Sequence, residues 1–319
     1  MNKNSKIFVA GGQSGLVGTA LVRSLKRQGY RNILIRTRKQ VDLLDPKKVE
    51  AFFRTEKPDY VFLAAAKVGG IMANNTQKAD FIYDNIQIQT NVIYNAWKYK
   101  TKKLLFLGSS CIYPRLAKQP IKESYFMTGP LESTNDAYAT AKIAGIKMCQ
   151  SFNDQYKTNF ISAMPTNLYG PHDNFDLNNS HVLPALIRKF HEAKIHEAST
   201  VTLWGDGTSR REFLYVDDMA DACVYLMEHY NSSDIINIGC GKDQTIKELA
   251  HVVKKIIDFK GNILWDTTKP NGTPRKQLAV NKLFALGWRP KVKLEDGIRL
   301  EYEWFLNHEK EIIYATASH

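Results

Sequence analysis

A glycine-rich turn near the amino terminus restricts the folds open to this chain more than any other feature. The apolar run 6–10 (KIFVA) leads into Gly12-Gln13-Ser14-Gly15-Leu16-Val17-Gly18, and Leu16 to Gln28 carries Leu16, Ala20, Leu21 and Leu25 at helical spacing. Glycines placed between a strand and a helix let the backbone turn tightly and approach an anion, which then rests against the positive end of the helix. The spacing therefore predicts strand, turn and helix, with a dinucleotide pyrophosphate held by Gly12, Gln13, Ser14, Gly15, Leu16, Val17 and Gly18. A glycine turn without a ligand is the plainer alternative.

The alternation continues along the chain. Strand-like 32–36 precedes a helix opened by Asp45 and Pro46, strand-like 60–66 precedes a helix from about Asp80 to Lys98, and 103–108 precedes a helix from about Asp136 to Gln155, with 160–164 strand-like again. Short apolar strands between helices argue for a doubly wound parallel sheet. Beyond Pro165 the pattern loosens into a turn-rich stretch, a helix beginning VLPAL, the strand-like TVTLW, the helical DDMADACVYLMEHY, a strand over 235–238, and the helix TIKELAHVVKKII. The last sixty residues mix short strands, turns and a final helix. The expected architecture is α/β: a Rossmann-type sheet over 1–165, rejoined by about 215–240, with a smaller interwoven α/β lobe over 166–319 sharing one cleft.

Composition narrows the class. No run approaches the ~20 apolar residues of a membrane span, and MNKNSK passes straight into the first strand without a leader-like apolar stretch. Cys111, Cys149, Cys223 and Cys240 form no CxxC pair, which argues against a metal ribbon or a disulfide framework and for a reducing, cytoplasmic setting. The net charge of +12 is scattered, without a basic run interleaved with aromatics, so small anionic ligands are expected rather than nucleic acid.

Where a NAD site would place an acidic residue after the second strand, this chain has Arg36, Thr37 and Arg38; guanidinium groups suit an added 2′-phosphate and so NADP(H), the alternative being solvated arginines. Asp42 suits either the adenine edge or the cap of the next helix. Tyr138 and Lys142 fall one helical turn apart on one face, and a nearby ammonium is expected to bring the phenol toward neutral pH. Ser109, at the end of the strand before them, is placed to hydrogen-bond the oxygen that Tyr138 would protonate.

Gly12 to Gly18, Ser109, Tyr138 and Lys142, in that order and spacing, resemble the extended short-chain dehydrogenase/reductase family. The strings LAAAKVGGIMANNT, LLFLGSSCIYP, YATAKIAGIK, MPTNLYGPHDNF, SHVLPAL, REFLYVDDMA and GTPRK extend the likeness to its members acting on GDP-4-keto-6-deoxy-D-mannose, from about Lys6 to beyond Trp304. The resemblance implies an NADPH-dependent enzyme that epimerises carbons 3 and 5 of that sugar and reduces its 4-keto group. It implies Cys111 as base and His181 as acid; read without it, Cys111 is a small buried hydrophobe and His181 a packing residue before a helix. It adds cofactor contacts from Leu107, Pro165, Asn167, Leu168 and His181, and substrate contacts from Lys189, Trp204, Arg211, Asn271 and Lys276. Two departures stand out: Gln13-Ser14 replaces an arginine of some relatives, leaving Arg38 as the main mark of NADP, and Asn271 occupies the usual place of an aspartate. A 4-epimerase or 4,6-dehydratase on the same fold, or a non-catalytic cofactor- or nucleic-acid-binding protein, are the alternatives. A homodimer paired through the helices near 80–98 and 136–155 is expected.

Overall fold

The computed structural model describes residues 1–177, 179–269 and 271–317. Strand β1 (Ile7–Ala10) passes through the glycine turn into α1 (Leu16–Arg27), followed by β2 (Ile33–Leu34), α2 (Pro46–Glu56), β3 (Tyr60–Leu63), α3 (Ile71–Thr76), α4 (Lys78–Lys98), β4 (Lys103–Leu107), α5 (Asp136–Tyr156) and β5 (Phe160–Pro165). The second half runs β6 (Asn167–Tyr169), α6 (Val182–Ile195), β7 (Thr200–Trp204), β8 (Arg210–Tyr215), α7 (Val216–His229), β9 (Ile236–Ile238), β10 (Asp243–Thr245), α8 (Ile246–Ile257), β11 (Asn262–Asp266), β12 (Arg275–Lys276), α9 (Asn281–Ala285) and α10 (Leu294–Ala317).

Six strands pair in parallel in the order β2-β1-β3-β4-β5-β9. Successive side chains alternate across the sheet: Ile7, Val9, Leu105 and Ile161 join the core beneath α1 and α7, whereas Phe8, Ala10, Leu104, Phe106 and Phe160 join the one beneath α2, α4 and α5. Helices on both faces make this a doubly wound α/β sheet. The strand order reverses between β1 and β3, which opens a crevice at the carboxyl ends of the strands.

A third core, with Phe190, Phe213, Leu249, Ile257 and Phe305, lies among α6, β8, α8 and α10. Strand β8 organises this region, pairing with β6, β10 and β12. Its Glu212 is fully buried and accepts Leu278 N–H at 2.8 Å and Gly241 N–H at 2.7 Å, so one carboxylate ties together three chain segments. Among the described residues no helix is long and apolar enough to cross a membrane.

Locally, the structure departs from the sequence expectation at several points. Strand 60–66 ends at Leu63, because Ala65 swings against the glycine turn, where a Cβ on Gly11 would lie 3.0 Å from its backbone. The helix α3 was not expected; IMANNT has no amphipathic period, and the Asn74 amide holds the turn by donating to the carbonyls of Gly69 and Gly70. Helix α2 opens at Asp45 and Pro46 as expected, Asp45 accepting from Lys47 and Lys48 N–H; Asp42, the other candidate cap, instead closes the preceding turn on Leu44 N–H.

Replacing Glu212 by alanine strands two buried N–H groups and is expected to cost about 2–4 kcal/mol of stability. Urea denaturation of the two proteins measures the difference.

Candidate active site

The glycine turn is shaped by steric need. Gly12 N–H donates to Val9 carbonyl at 3.0 Å, Gly15 sits at φ 76°, and a Cβ on Gly18 would fall 1.8 Å from Gly11 oxygen. Helix α1 can therefore pack directly on the end of β1. Its amino end carries no side-chain cap, so free N–H groups and the helix dipole face the space beside exposed Gln13 and Ser14. This cradle fits a dinucleotide pyrophosphate. Leu16 and Val17, the first residues of α1, are half-buried and pack against the core.

Beyond β2 the two arginines part ways. Arg36 is held by Glu56 at 2.6 Å, while Arg38 is 77% exposed and, among the described residues, pairs with Asp42 alone, at 3.3 Å. Arg38 is the guanidinium available to a phosphate.

The chain leaves β4 through Gly108, where a Cβ would meet Met164 sulfur at 2.4 Å, and turns at Ser109 into a single 3-10 turn over Ser110–Ile112. The Ser109 hydroxyl accepts Cys111 N–H at 3.2 Å, so both side chains stand at the carboxyl edge of the sheet. Helix α5 supplies Tyr138 and Lys142. Lys142 is buried, donates to the Leu107 carbonyl at 2.9 Å, and lies 5.8 Å from the Tyr138 ring centre. Burial holds its ammonium down to about 8.

Burial likewise pushes the Tyr138 phenol up, with the nearby Cys111 adding to the rise and Ser109 opposing it. The expected lowering toward neutral pH is thus not what the site produces: burial sets the direction, and Tyr138 stands as a protonated donor.

Cys111 Sγ receives two donors, Asn135 Nδ2 at 3.4 Å and Lys276 Nζ at 3.6 Å. His181 is the residue before α6, without a side-chain cap bond. Its crowded setting lowers its affinity for a proton, and the Lys276 charge lowers it further, so Lys276 faces Cys111 and acts on His181. Ser109, Cys111, Tyr138, Lys142 and Lys276 form one cluster, and exposed His181 lies within reach of the Lys276 charge. The remaining cysteines lie apart: Cys149 and Cys223 are buried, and Cys240 donates to backbone carbonyls of Phe213 and Lys242.

The other expected contacts spread along the same edge. Pro165 ends β5, Asn167 donates to Glu212 carbonyl at 2.8 Å, and Leu168 packs on the sheet core. Lys276 is paired in register with Arg211, whose guanidinium, among the described residues, donates to the Arg210 carbonyl and is lowered by burial. Lys189, on α6, is also lowered by burial. Trp204 is 59% exposed beneath the Lys269 ammonium. Asn271 is occupied structurally: its side-chain oxygen accepts Asp206 N–H at 2.8 Å and its carbonyl accepts the Ser209 hydroxyl at 2.7 Å. Asn135 escaped sequence reasoning, its one signal being its place immediately before α5.

A model of the NAD dependent epimerase/dehydratase family matches residues 7–239. The chain is 59% identical to "Putative GDP-L-fucose synthase 2" of Arabidopsis thaliana, over 97% of this chain and 94% of that protein. It is 51% identical to GDP-L-fucose synthase of Escherichia coli, over 95% and 97% respectively. Among solved structures, MlghC, a GDP-mannoheptose C4 reductase from Campylobacter jejuni with NADP bound, matches with a TM-score of 0.89 at 43% identity, covering 96% of this chain and 99% of that one.

Gly18→Ala forces its Cβ into the Gly11 carbonyl and should weaken NADPH binding by about tenfold or more, since the helix must back away from the anion. Gly15→Ala meets no atom and strains only φ, so its loss should be smaller; cofactor fluorescence titration compares them.

Proposed function

The chain belongs to the NAD dependent epimerase/dehydratase family, and we propose that it uses NADPH to convert GDP-4-keto-6-deoxy-D-mannose into GDP-L-fucose, epimerising carbons 3 and 5 before reducing carbon 4. The observation that carries this reading is the pairing of a proton-donor set, Ser109, Tyr138 and Lys142, with a separate thiol and imidazole, Cys111 and His181, linked through Lys276. A simple ketone reductase needs only the first set.

Carbons 3 and 5 flank the ketone, so their hydrogens are acidic and their inversion requires a base on one face and an acid on the other. Cys111 takes the proton and His181 returns one from the opposite side. Charge building on the ketone oxygen is met by the Ser109 and Tyr138 hydroxyls. Bound NADPH supplies the hydride for carbon 4. Tyr138 gives its proton to the carbonyl oxygen, and the Lys142 ammonium, anchored on Leu107, faces the phenolate left behind. Arg211 and Lys189 oppose the diphosphate of the sugar nucleotide and Trp204 covers an apolar face of it, while the glycine turn and Arg38 take the cofactor phosphates.

In this reading residues 1–165 with about 215–240 hold the cofactor, 166–319 hold most of the substrate, and the protein works in the cytoplasm as a homodimer without a nucleic-acid partner. The exposed Tyr83, Ile86, Tyr94 and Tyr156 on α4 and α5 support that pairing. A 4,6-dehydratase is not favoured: Ser110 and Cys111 stand where it would carry an acidic pair.

Incubation with NADPH and the ketosugar, followed by NMR of the product, should give GDP-L-fucose with one NADP released per turnover; binding without consumption would sink the assignment. Tyr138→Phe should lower the reduction rate by about 10²–10⁴-fold. Because burial lowers Lys142 to about 8, its charged form prevails only below that pH, and NADPH oxidation at saturating substrate should decline as pH rises through about 8. Lys142→Arg, which keeps its charge, should carry that decline to higher pH.

A further inference from the structure

Lys276 has an unusual set of neighbours. Its ammonium lies 3.6 Å from Cys111 Sγ, and among the described residues no carboxylate comes within ion-pair distance of it. The acidic partner nearby is taken: Asp243 is shared by Arg275 and Arg210. The backbone carrying Lys276 is fixed on both sides. Strand β12 pairs with β8, Gln277 N–H donates to the Gln119 side chain at 2.9 Å, and Leu278 N–H donates to buried Glu212. The ammonium is thus delivered by a braced edge and not by a free surface stem.

The sulfur meets a second donor from the opposite chain segment. Asn135 Nδ2 lies 3.4 Å away, while the Oδ1 of the same amide is buried and has no hydrogen-bond partner. With its oxygen unpartnered, the amide is held by the sulfur contact. Both contacts are made by donors, one of them charged, so the sulfur accepts from two sides, an arrangement that favours negative charge building on it.

We propose that Lys276 and Asn135 are positioning residues that clamp the Cys111 sulfur in its charged form for proton abstraction, and that Lys276 is not an anchor for the nucleotide. The inference deepens the epimerisation assigned above and rests on it. In the step concerned, the sugar C–H bond breaks, S–H forms at Cys111, and the electron pair moves to the ketone oxygen; then an N–H bond of the His181 imidazolium breaks, C–H forms on the other face, and both residues re-equilibrate with water. The same ammonium that favours negative charge on the sulfur disfavours positive charge on His181, so one cation makes the base more available and the acid readier to give its proton.

The test uses Lys276→Met, Lys276→Arg and Asn135→Ala in the full chain with NADP present. Cys111 alkylation by iodoacetamide, followed by peptide mass spectrometry at neutral and higher pH, should slow about tenfold at neutral pH in Lys276→Met, as loss of a close opposite charge predicts, with Lys276→Arg restoring most of the rate and Asn135→Ala slowing it less. Deuterium wash-in at carbons 3 and 5 should fall about tenfold at neutral pH in Lys276→Met and recover as pH rises, with GDP affinity by calorimetry unchanged. An unmoved alkylation profile with weakened GDP binding would overturn the proposal. If wild type shows no wash-in while Lys276→Met still shifts the alkylation profile, the clamp stands and the reading of the reaction falls.

Discussion

The hydrogen bond from the buried Lys142 ammonium to the Leu107 carbonyl is the interaction on which the site is built. It joins helix α5 to the last residue of β4, so whatever follows β4 is held beside whatever α5 carries. Ser109 and Cys111 come from the strand side; Asn135 and Tyr138 come from the helix side. The close fit is permitted by Gly145, where a Cβ would lie 2.4 Å from the Phe106 ring, and is fixed from behind by the Gln89 amide donating to the Ala141 carbonyl at 2.6 Å. An ammonium placed so deeply is stabilised by the carbonyl and by the Phe106 face, 4.9 Å away. Its burial also lowers its hold on a proton, so the structural tie and the pH sensitivity of the site have one origin.

A second constraint brings the carboxyl-terminal segment to the same place. Glu212 gathers the backbone around Gly241 and Leu278, Arg210 and Arg275 share Asp243, and the result is a short strand that sets Lys276 against Cys111. Lys103 does related work at the far end of the sheet, its buried ammonium donating to the carbonyls of Leu226, Met227 and Tyr230 at the end of α7. In both cases a buried charge, satisfied mostly by backbone groups, connects pieces of chain distant in sequence. The cost of burial is offset only when every partner is present, which makes these joints specific.

Much of this was legible from the residues. Short apolar runs and the period-3.6 pattern located β1, α1, α4, α5 and β5 closely, because burial on both faces of a parallel sheet leaves an unmixed apolar signal. The GxxGxxG turn and the Tyr138–Lys142 spacing pointed to the crevice, since local geometry alone dictates both. The start of α2 at Asp45 and Pro46 was legible, whereas helix α3 was not, being held by Asn74 and not by an apolar stripe, and neither was the part of Asp42, which closes a turn instead. The direction of the Tyr138 shift was misread because one helical turn gives proximity to an ammonium but says nothing about how much water the phenol keeps.

The sequence by itself determined the parallel sheet, the position of the anion-binding turn and the order of the reacting side chains, for these follow from short-range sterics and hydrophobic periodicity. Only the tertiary structure decided that Arg36 is engaged by Glu56 while Arg38 stays open, that Asn271 braces a loop, and that Asn135 and Lys276 meet at one sulfur from positions 141 residues apart in number. Such contacts depend on long-range register between strands and on which buried polar groups find partners, and neither is encoded in any local window of the chain.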